Sequence, residues 1–454
     1  MASGGAHPYL PTSAQERRRA LEAVGLDEEY LVASIPPDMR LRSPLSIPEG
    51  LCEIELTRHV KALAAANHGT DELVSFLGGG SYDHFIPAAV DNIASRGEFV
   101  TAYTPYQAEA SEGALEATFE YQTMIAELTG MEVSNAGVYD GATAAAEAVF
   151  MARRVRKSGG AVVVSGALHP EYIEVLRTYL SFGGTEIRIA PADGGVTDVH
   201  AVKRLAEGAF AVVAANPNFF GCIEDLGAIF TAARERGALS IAVVNPITLG
   251  VLEAPGRLGA DIVCGDGQPL GCYQYYGGPA FGFMAARMEH LRQLPGRIVG
   301  ETTDGEGRRG WCLTFQTREQ HIRRERATSN ICTNHALMAL RSAVYLSLVG
   351  PAGLAEVGRL SASGAHYAAE RIAGLKGYRL TYDAPFFHEF AVTCPRPAAE
   401  VAALARREGI LAGVPLGRFC PRRPNDLLIA VTEKRTKDEV DRLVECLARA
   451  GDCS

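Results

Sequence analysis

Six short apolar runs recur between residues 161 and 286: AVVVSG (161–166), EIRIAP (186–191), FAVVAANP (210–217), LSIAVVNP (239–246), DIVCG (261–265) and FGFMAA (281–286). Each is too short for a helix, and most are apolar at consecutive rather than alternate positions, the pattern of a strand buried on both faces. Amphipathic segments such as HPEYIEVLRTYLSFG and LGAIFTAARERG fit between some of them. Buried strands separated by helices build a mostly parallel sheet covered on both sides, so an α/β domain is expected here. Upstream, ALEATFEYQTMIAELTG reads as an amphipathic helix closed by Gly130, and GATAAAEAVFMARRVRK as a small-residue helix that begins after a loop.

The flanks differ in texture. Residues 1–100 read as an N-terminal arm and interface segment, with helical periodicity in SAQERRRALEAVG and EIELTRHVKALAAAN. Between those helices lies the proline-bearing stretch IPPDMRLRSPLSIPEG, where each proline biases its predecessor toward extended backbone. Residues 101–330 make the large domain. In 331–454 two helical stretches precede YRLTYD, FFHEFAVTC, a helix from Ala398, LLIAVTE and a final helix near Asp438–Ala450, the order of a smaller α+β domain.

Charge and composition narrow the function. A net charge of -9 argues against nucleic acid or an anionic membrane as the main partner. No apolar run approaches the roughly 18 residues of a membrane span. The N-terminus lacks the basic-then-apolar order of a secretory signal, so a cytoplasmic location is expected. The ten cysteines carry no CxxC spacing and read as reduced thiols, several in apolar contexts, with no metal site.

The loop after the fifth run, Gly265-Asp266-Gly267-Gln268-Pro269-Leu270-Gly271, superficially resembles a nucleotide-binding loop. Its spacing is GxGxxxG, its strand comes late, and no helix follows it, so the dinucleotide fingerprint fails. A P-loop fails as well, for want of Gly-Lys-Ser/Thr. The architecture instead resembles aspartate-aminotransferase-type enzymes of pyridoxal phosphate fold type I, with a mostly parallel seven-stranded large domain and a smaller α+β C-terminal domain. In those enzymes a lysine follows a late strand and an acid at the preceding strand end faces the pyridine nitrogen. Here the corresponding positions hold Gln268 or Pro269 and Asn245. The six lysines are Lys61, Lys157, Lys203, Lys376, Lys434 and Lys437, leaving Lys203 to Lys376 without any between them.

Several longer motifs carry a more specific resemblance: SFLGGGSYDHFIP (75–87), EFVTAYTPYQAEASEGALEATFEYQT (98–123), ELTGMEVSNAGVYDGATAAAEA (127–148), NPNFFG (216–221), GRIVGETTD (296–304) and TREQHIRRERATSNICTNHALMAL (317–340). Through them the chain resembles, end to end, the α (N-terminal) subunit of two-subunit glycine dehydrogenase (decarboxylating), the P-protein of the glycine cleavage system. Gly79 and Gly137-Val138 stand where that pattern has Ala and Ser-Met. The resemblance implies that glycine forms a Schiff base with pyridoxal phosphate, loses its carboxyl as CO2, and passes its aminomethyl group to the lipoyl arm of H-protein. It also implies that a β subunit carries the cofactor lysine, that none is bound covalently here, and that the assembly is α2β2.

In such a heteromer this chain is expected to lend residues to its partner's site. Tyr103, Thr104, Tyr106 and Gln107 place hydroxyl and amide donors on a loop suited to a phosphate or glycine carboxylate, or else form an aromatic turn under a domain edge. Tyr103, Tyr106 and His84 are the catalytic candidates. Thr104, Gln107, Gly79, Gly80 and Ser81 are the cofactor-contacting ones, and Glu109, Asn330 and Asn334 the substrate-contacting ones. Taken alone, His84 reads first as a hydrogen-bonded histidine at a tight turn, and Arg323, Arg324 and Arg326, which could steer an acidic partner or clamp a carboxylate, read first as a solvated helix face. Asp140 opens a helix that holds the cofactor phosphate in catalytic relatives, and it also reads simply as an N-cap. Two other functions compete with this one: a self-sufficient pyridoxal phosphate enzyme using Lys203 or Lys376, and a noncatalytic scaffold.

Overall fold

Residues 12–41, 43, 45–331 and 335–452 are described by the structure, a computed structural model. Packing divides the chain after Asn67. In the first unit, helix α1 (Ala14–Ala23) starts at Ser13, whose hydroxyl and the Glu16 carboxylate form a capping box. Helix α2 (Glu53–Ala64) follows, and neither helix contains a buried residue. Leu41, Ile47, Leu56 and Leu63 all stay exposed, so the described residues of this unit form no core of their own.

In the second unit Val74–Ser75 first pairs in parallel with Ile410 and Leu411, and helix α3 (Ala88–Ala94) and the long helix α4 (Ala108–Thr129) come later, α4 ending on Gly130 in the left-handed conformation. Its centre is a sheet in which the described residues supply seven strands: β1 (Val133–Ser134), β2 (Ala161–Ser165), β3 (Glu186–Ala190), β4 (Ala209–Asn216), β5 (Leu239–Val244), β6 (Ile262–Asp266) and β7 (Gly282–Ala286). They lie in the order β1-β7-β6-β5-β4-β2-β3, with β7 antiparallel to both its neighbours and the other pairings parallel. All six apolar runs are strands, and the two central ones, β4 and β5, are buried along their whole length. Helices α5 (Gly141–Arg156), α6 (Pro170–Leu180), α7 (Val199–Leu205) and α8 (Leu226–Arg234) connect and cover them. Half of the buried α5 residues are alanine, with Gly141 and Thr143 also small, which lets the helix lie close against the sheet.

Next comes a two-stranded antiparallel hairpin, β8 (Ile298–Thr303) and β9 (Arg309–Thr314), which the apolar runs do not announce. Its strands carry Gly, Glu, Thr and Arg, and the buried Val299 and Trp311 join Leu115 in a small cluster edged by Ala108, Phe119 and Leu313. Helix α9 (Ala336–Ala373) bends at Gly350, where φ is +59°, immediately before Pro351. Its first half packs into the large core through Ala339, Ala343, Tyr345 and Leu354. Its second half enters the C-terminal core through Ala365, Ala368, Ala369 and Ile372, which explains one long apolar helix. The C-terminal sheet orders β10 (Arg379–Leu380), β11 (Glu389–Thr393), β13 (Asp426–Ala430) and β12 (Val414–Pro415) antiparallel, covered by α10 (Ala398–Arg407) and α11 (Lys437–Asp452). Among the described cysteines, 222, 264, 272, 394 and 446 are buried free thiols.

Candidate functional site

The crevice at the carboxyl ends of parallel strands is where open α/β sheets place ligands. Here Asn245 follows β5, Asp266 ends β6, and Gln268 and Pro269 follow it. Asn245, Asp266 and Pro269 line a cavity of about 70 Å³ together with His169, Tyr172 and Glu389. That is space for a few waters, far below the roughly 300 Å³ of an ordinary small-molecule pocket.

The anion-holding end of α5 is occupied by the chain itself. Asp140 caps the helix by accepting from Thr143 N at 2.7 Å. Asp266 Oδ2 accepts from Gly141 N at 3.0 Å, and its Oδ1 accepts from Gln268 N at 2.8 Å. A helix N-terminus attracts a negative group, and here that group is the Asp266 carboxylate. Burial pushes the Asp266 carboxyl up to about 6, against the two backbone donors that favour its charged form. The Tyr172 hydroxyl crowds the same point: a Cβ added at Gly141 would collide with it and with the Asp266 backbone. Burial, then the Asp266 and Asp140 carboxylates, raise the Tyr172 phenol well above its ordinary value.

Gln268 has spent its amide on backbone. Oε1 accepts from Tyr82 N at 2.9 Å, while Nε2 donates to Tyr82 O at 3.0 Å and to Cys272 O at 2.8 Å. Pyridoxal phosphate needs an amine for its aldehyde, an acid for its ring nitrogen, free N–H groups for its phosphate and room for its ring. These residues offer a committed amide, the neutral Asn245, a filled helix end and a small cavity, so they do not fit the group. Lys203 pairs with Glu235 at 2.6 Å on the far helices and Lys376 lies exposed beyond α9; neither lines the cavity.

The sequence candidates fall into two places. Gly79, Gly80, Ser81 and His84 form a loop knitted to the C-terminal domain and to the cavity wall. Gly79 N donates to Glu389 Oε1 at 2.6 Å, and Tyr82 OH donates to Glu389 Oε2 at 2.9 Å. His169 Nε2 meets Gly79 O at 2.8 Å, and Gln274 Nε2 donates to Ser81 Oγ at 3.2 Å. A Cβ at Gly78 would strike the Glu389 carboxylate, which is why glycine stands there. His84 is buried and pairs through Nδ1 with Glu433 at 2.6 Å. Complete burial pushes Glu389 up to about 7 and holds His388, beside Tyr82, down to about 3.

The second place is the 103–107 segment, which turns through Tyr106 N donating to Thr104 O at 2.8 Å. Tyr103 is 81% exposed and Tyr106 48%. Tyr103 and Thr104 line a recess of about 50 Å³ with Arg297, whose Nη2 donates to the Tyr106 hydroxyl at 3.0 Å. Gln107 and Glu109 are exposed at the start of α4, and Asn330 is exposed nearer α9. Arg323, Arg324 and Arg326 are exposed as well. Asn334 and Thr333 lie outside the described residues. The candidates missed from the sequence are Arg297, Glu319 and His321, gathered around Tyr106. They sit in GRIVGETTD and TREQHIRRERATSN, motifs whose residues have no visible partner until the chain is folded.

Residues 7–447 match the family model described as glycine cleavage system P-protein. The chain is 49% identical over 443 residues to probable glycine dehydrogenase (decarboxylating) subunit 1 of Chlorobium luteolum, covering 97% of this chain and 99% of that protein. It is likewise 49% identical over 445 residues to the protein of that name in Geotalea uraniireducens, covering 97% and 99%. Among solved structures it is similar to a glycine decarboxylase (P-protein) of the glycine cleavage system in inhibitor-bound form, with a TM-score of 0.90 and 45% identity over 98% of this chain and 100% of that one. The sphingosine-1-phosphate lyase of Burkholderia pseudomallei shares the fold, with a TM-score of 0.66 at 14% identity over 92% of this chain and 94% of that one.

Proposed function

The chain belongs to the glycine cleavage system P-protein family, and on that premise we propose that it is the subunit that completes, without anchoring the cofactor, a glycine-decarboxylating site carried by a second subunit. The relatives' name, subunit 1 of glycine dehydrogenase (decarboxylating), supports a two-subunit enzyme. The observation that carries the reading is the state of the crevice: Gln268 is bonded to backbone, the α5 N-terminus is filled by Asp266, and the cavity is about 70 Å³. A cofactor site built on this chain would need all three undone. What the chain offers instead is the exposed loop ahead of α4, with Tyr103 81% and Tyr106 48% exposed.

In this reading pyridoxal phosphate sits on a lysine of the partner, where it supplies the electron sink for loss of CO2 from glycine. Tyr103, Thr104, Tyr106 and Gln107 then bind and orient groups at the subunit boundary, and close that site to water. The aminomethyl group goes on to the lipoyl arm of H-protein, in an α2β2 assembly located in the cytoplasm. The helices of the first unit bury nothing by themselves, so their apolar residues are available to the assembly.

Borohydride reduction of the purified two-subunit complex tests this. The pyridoxyl label is expected on the second subunit alone, and glycine-dependent exchange of CO2 is expected only when both chains are present. A label on this chain at Lys203 or Lys376 would establish the self-sufficient enzyme instead. Full exchange by the second subunit alone would leave this chain a scaffold.

A further inference from the structure

The half-exposed Tyr106 is gripped by two residues that meet at one buried carboxylate. Arg297 lies just ahead of β8 and is 9% exposed. Its Nη2 donates to the Tyr106 hydroxyl at 3.0 Å, and its guanidinium carbon stands 5.3 Å from the ring centroid. His321 meets the same ring edge-on, with centroids 5.7 Å apart. Glu319, with a side chain only 4% exposed, has its Oε2 3.8 Å from Arg297 Nε and 3.5 Å from His321 Nδ1.

Nothing local requires this arrangement, since Tyr106 precedes α4 while Arg297 comes just before the β8–β9 hairpin and Glu319 and His321 come after it. A buried guanidinium or carboxylate is costly alone, and the nearness of Arg297 and Glu319 lowers the cost of both. The guanidinium is planar and rigid, so a carboxylate charge 3.8 Å from its Nε, an electrostatic contact longer than a hydrogen bond, biases the direction of its other donors. The Tyr106 hydroxyl is therefore held at a set point although half its ring is in solvent. Surface tyrosines need no such support; a group that must meet a substrate in one orientation does, because misplacement by about 1 Å can cost on the order of a hundredfold in rate.

We propose that Glu319, acting through Arg297 and His321, is a positioning residue that aims the Tyr106 hydroxyl at the site shared with the partner subunit. The inference rests on the reading that Tyr106 serves that site.

The test is a mutant cycle in the reconstituted two-subunit complex, measuring glycine-dependent exchange of labelled bicarbonate. Glu319→Gln and Arg297→Gln should each lower kcat about tenfold or more while changing KM for glycine less than about threefold, the signature of an interaction used in the transition state. In a Tyr106→Phe background the same substitutions should cost less than about a further twofold, because residues acting as one unit are not additive. Arg297→Lys keeps the charge and loses the fork, and should recover only part of the rate. Where a buried-pair variant fails to assemble by gel filtration, His321→Ala replaces it, with a loss of about threefold that also vanishes in the Tyr106→Phe background. Losses that multiply with Tyr106→Phe, or wild-type kcat in Glu319→Gln, overturn the inference and leave the functional reading standing. Wild-type kcat in Tyr106→Phe removes both.

Discussion

Gln268 and Tyr82, 186 positions apart, are joined like residues on neighbouring strands: the glutamine Oε1 accepts the Tyr82 amide at 2.9 Å and its Nε2 donates to the Tyr82 carbonyl at 3.0 Å. The glutamine side chain ties the glycine loop to the loop after β6. Both donors of the side-chain amide are used, the second on Cys272 O.

That tie makes Gln268→Glu a severe change despite its small size. A carboxylate would lose both donors and face two carbonyl oxygens in a site that is 5% exposed. Leaving buried carbonyls unpaired costs about 1–3 kcal/mol each, so a loss of about 3 kcal/mol is expected in urea unfolding of the chain. An unchanged midpoint would show that the tie is dispensable.

Restoring an amine does not restore a cofactor site. Gln268→Lys, incubated with pyridoxal phosphate and reduced with borohydride, is expected to carry no label at position 268. The Asp266 carboxylate still holds the α5 N-terminus, and the Tyr172 hydroxyl still crowds Gly141. Stoichiometric label at 268 would mean that the missing amine alone disables the crevice.

Glu389 gives the fold a pH dependence that can be isolated. Burial raises its carboxyl from an ordinary value of 4.5 to about 7. Between those values the unfolded chain releases the proton while the folded chain keeps it, so stability falls as pH rises through the window and levels off above it. The shift corresponds to about 3 kcal/mol. His388 acts in the opposite sense, losing stability as pH falls, because burial holds its imidazole down to about 3. The whole-protein profile mixes the two, so the informative quantity is the difference between wild type and Glu389→Gln. That difference should grow in favour of the variant by about 3 kcal/mol from pH 4.5 to 8. A flat difference would place the glutamate in a less costly environment.

Tyr103 separates function from stability. It is 81% exposed, and Tyr103→Ala should change unfolding of the isolated chain by less than about 0.5 kcal/mol. In the two-subunit complex the same variant is expected to lower glycine-dependent exchange by about tenfold or more, the size of a lost positioned donor. A variant silent in both assays would return the 103–107 loop to a structural turn.

The strands of the large sheet were readable because a strand buried on both faces writes its environment into consecutive residues, as in Val162-Val163-Val164 and Ile241-Ala242-Val243-Val244. Gly130 and Asp140 were readable for a similar reason, since a left-handed C-cap and an N-cap are local. The β8–β9 hairpin was not: its residues are half polar, and its strands are held by each other and by remote side chains, with Glu112 accepting from Trp311 N at 3.0 Å and Gln122 accepting from Val299 N at 2.9 Å. The grouping of candidate residues was not readable either. His84 looked like an available proton carrier and is a buried partner of Glu433, while Tyr106 shares its surroundings with Arg297, Glu319 and His321.

By itself the sequence determined the sheet, the helices that cover it, and which functional groups follow β5 and β6, the Asn245 and Gln268 amides. Those follow from residue identity and short-range periodicity. Only the tertiary structure decided what those groups do, because their partners are remote along the chain. Asp266 closes a helix end 125 residues upstream, Gln268 binds a loop 186 residues away, and Arg297 steadies a tyrosine 191 residues earlier. A side chain's chemistry is written at its own position; its role is set by what folding brings within 3 Å of it.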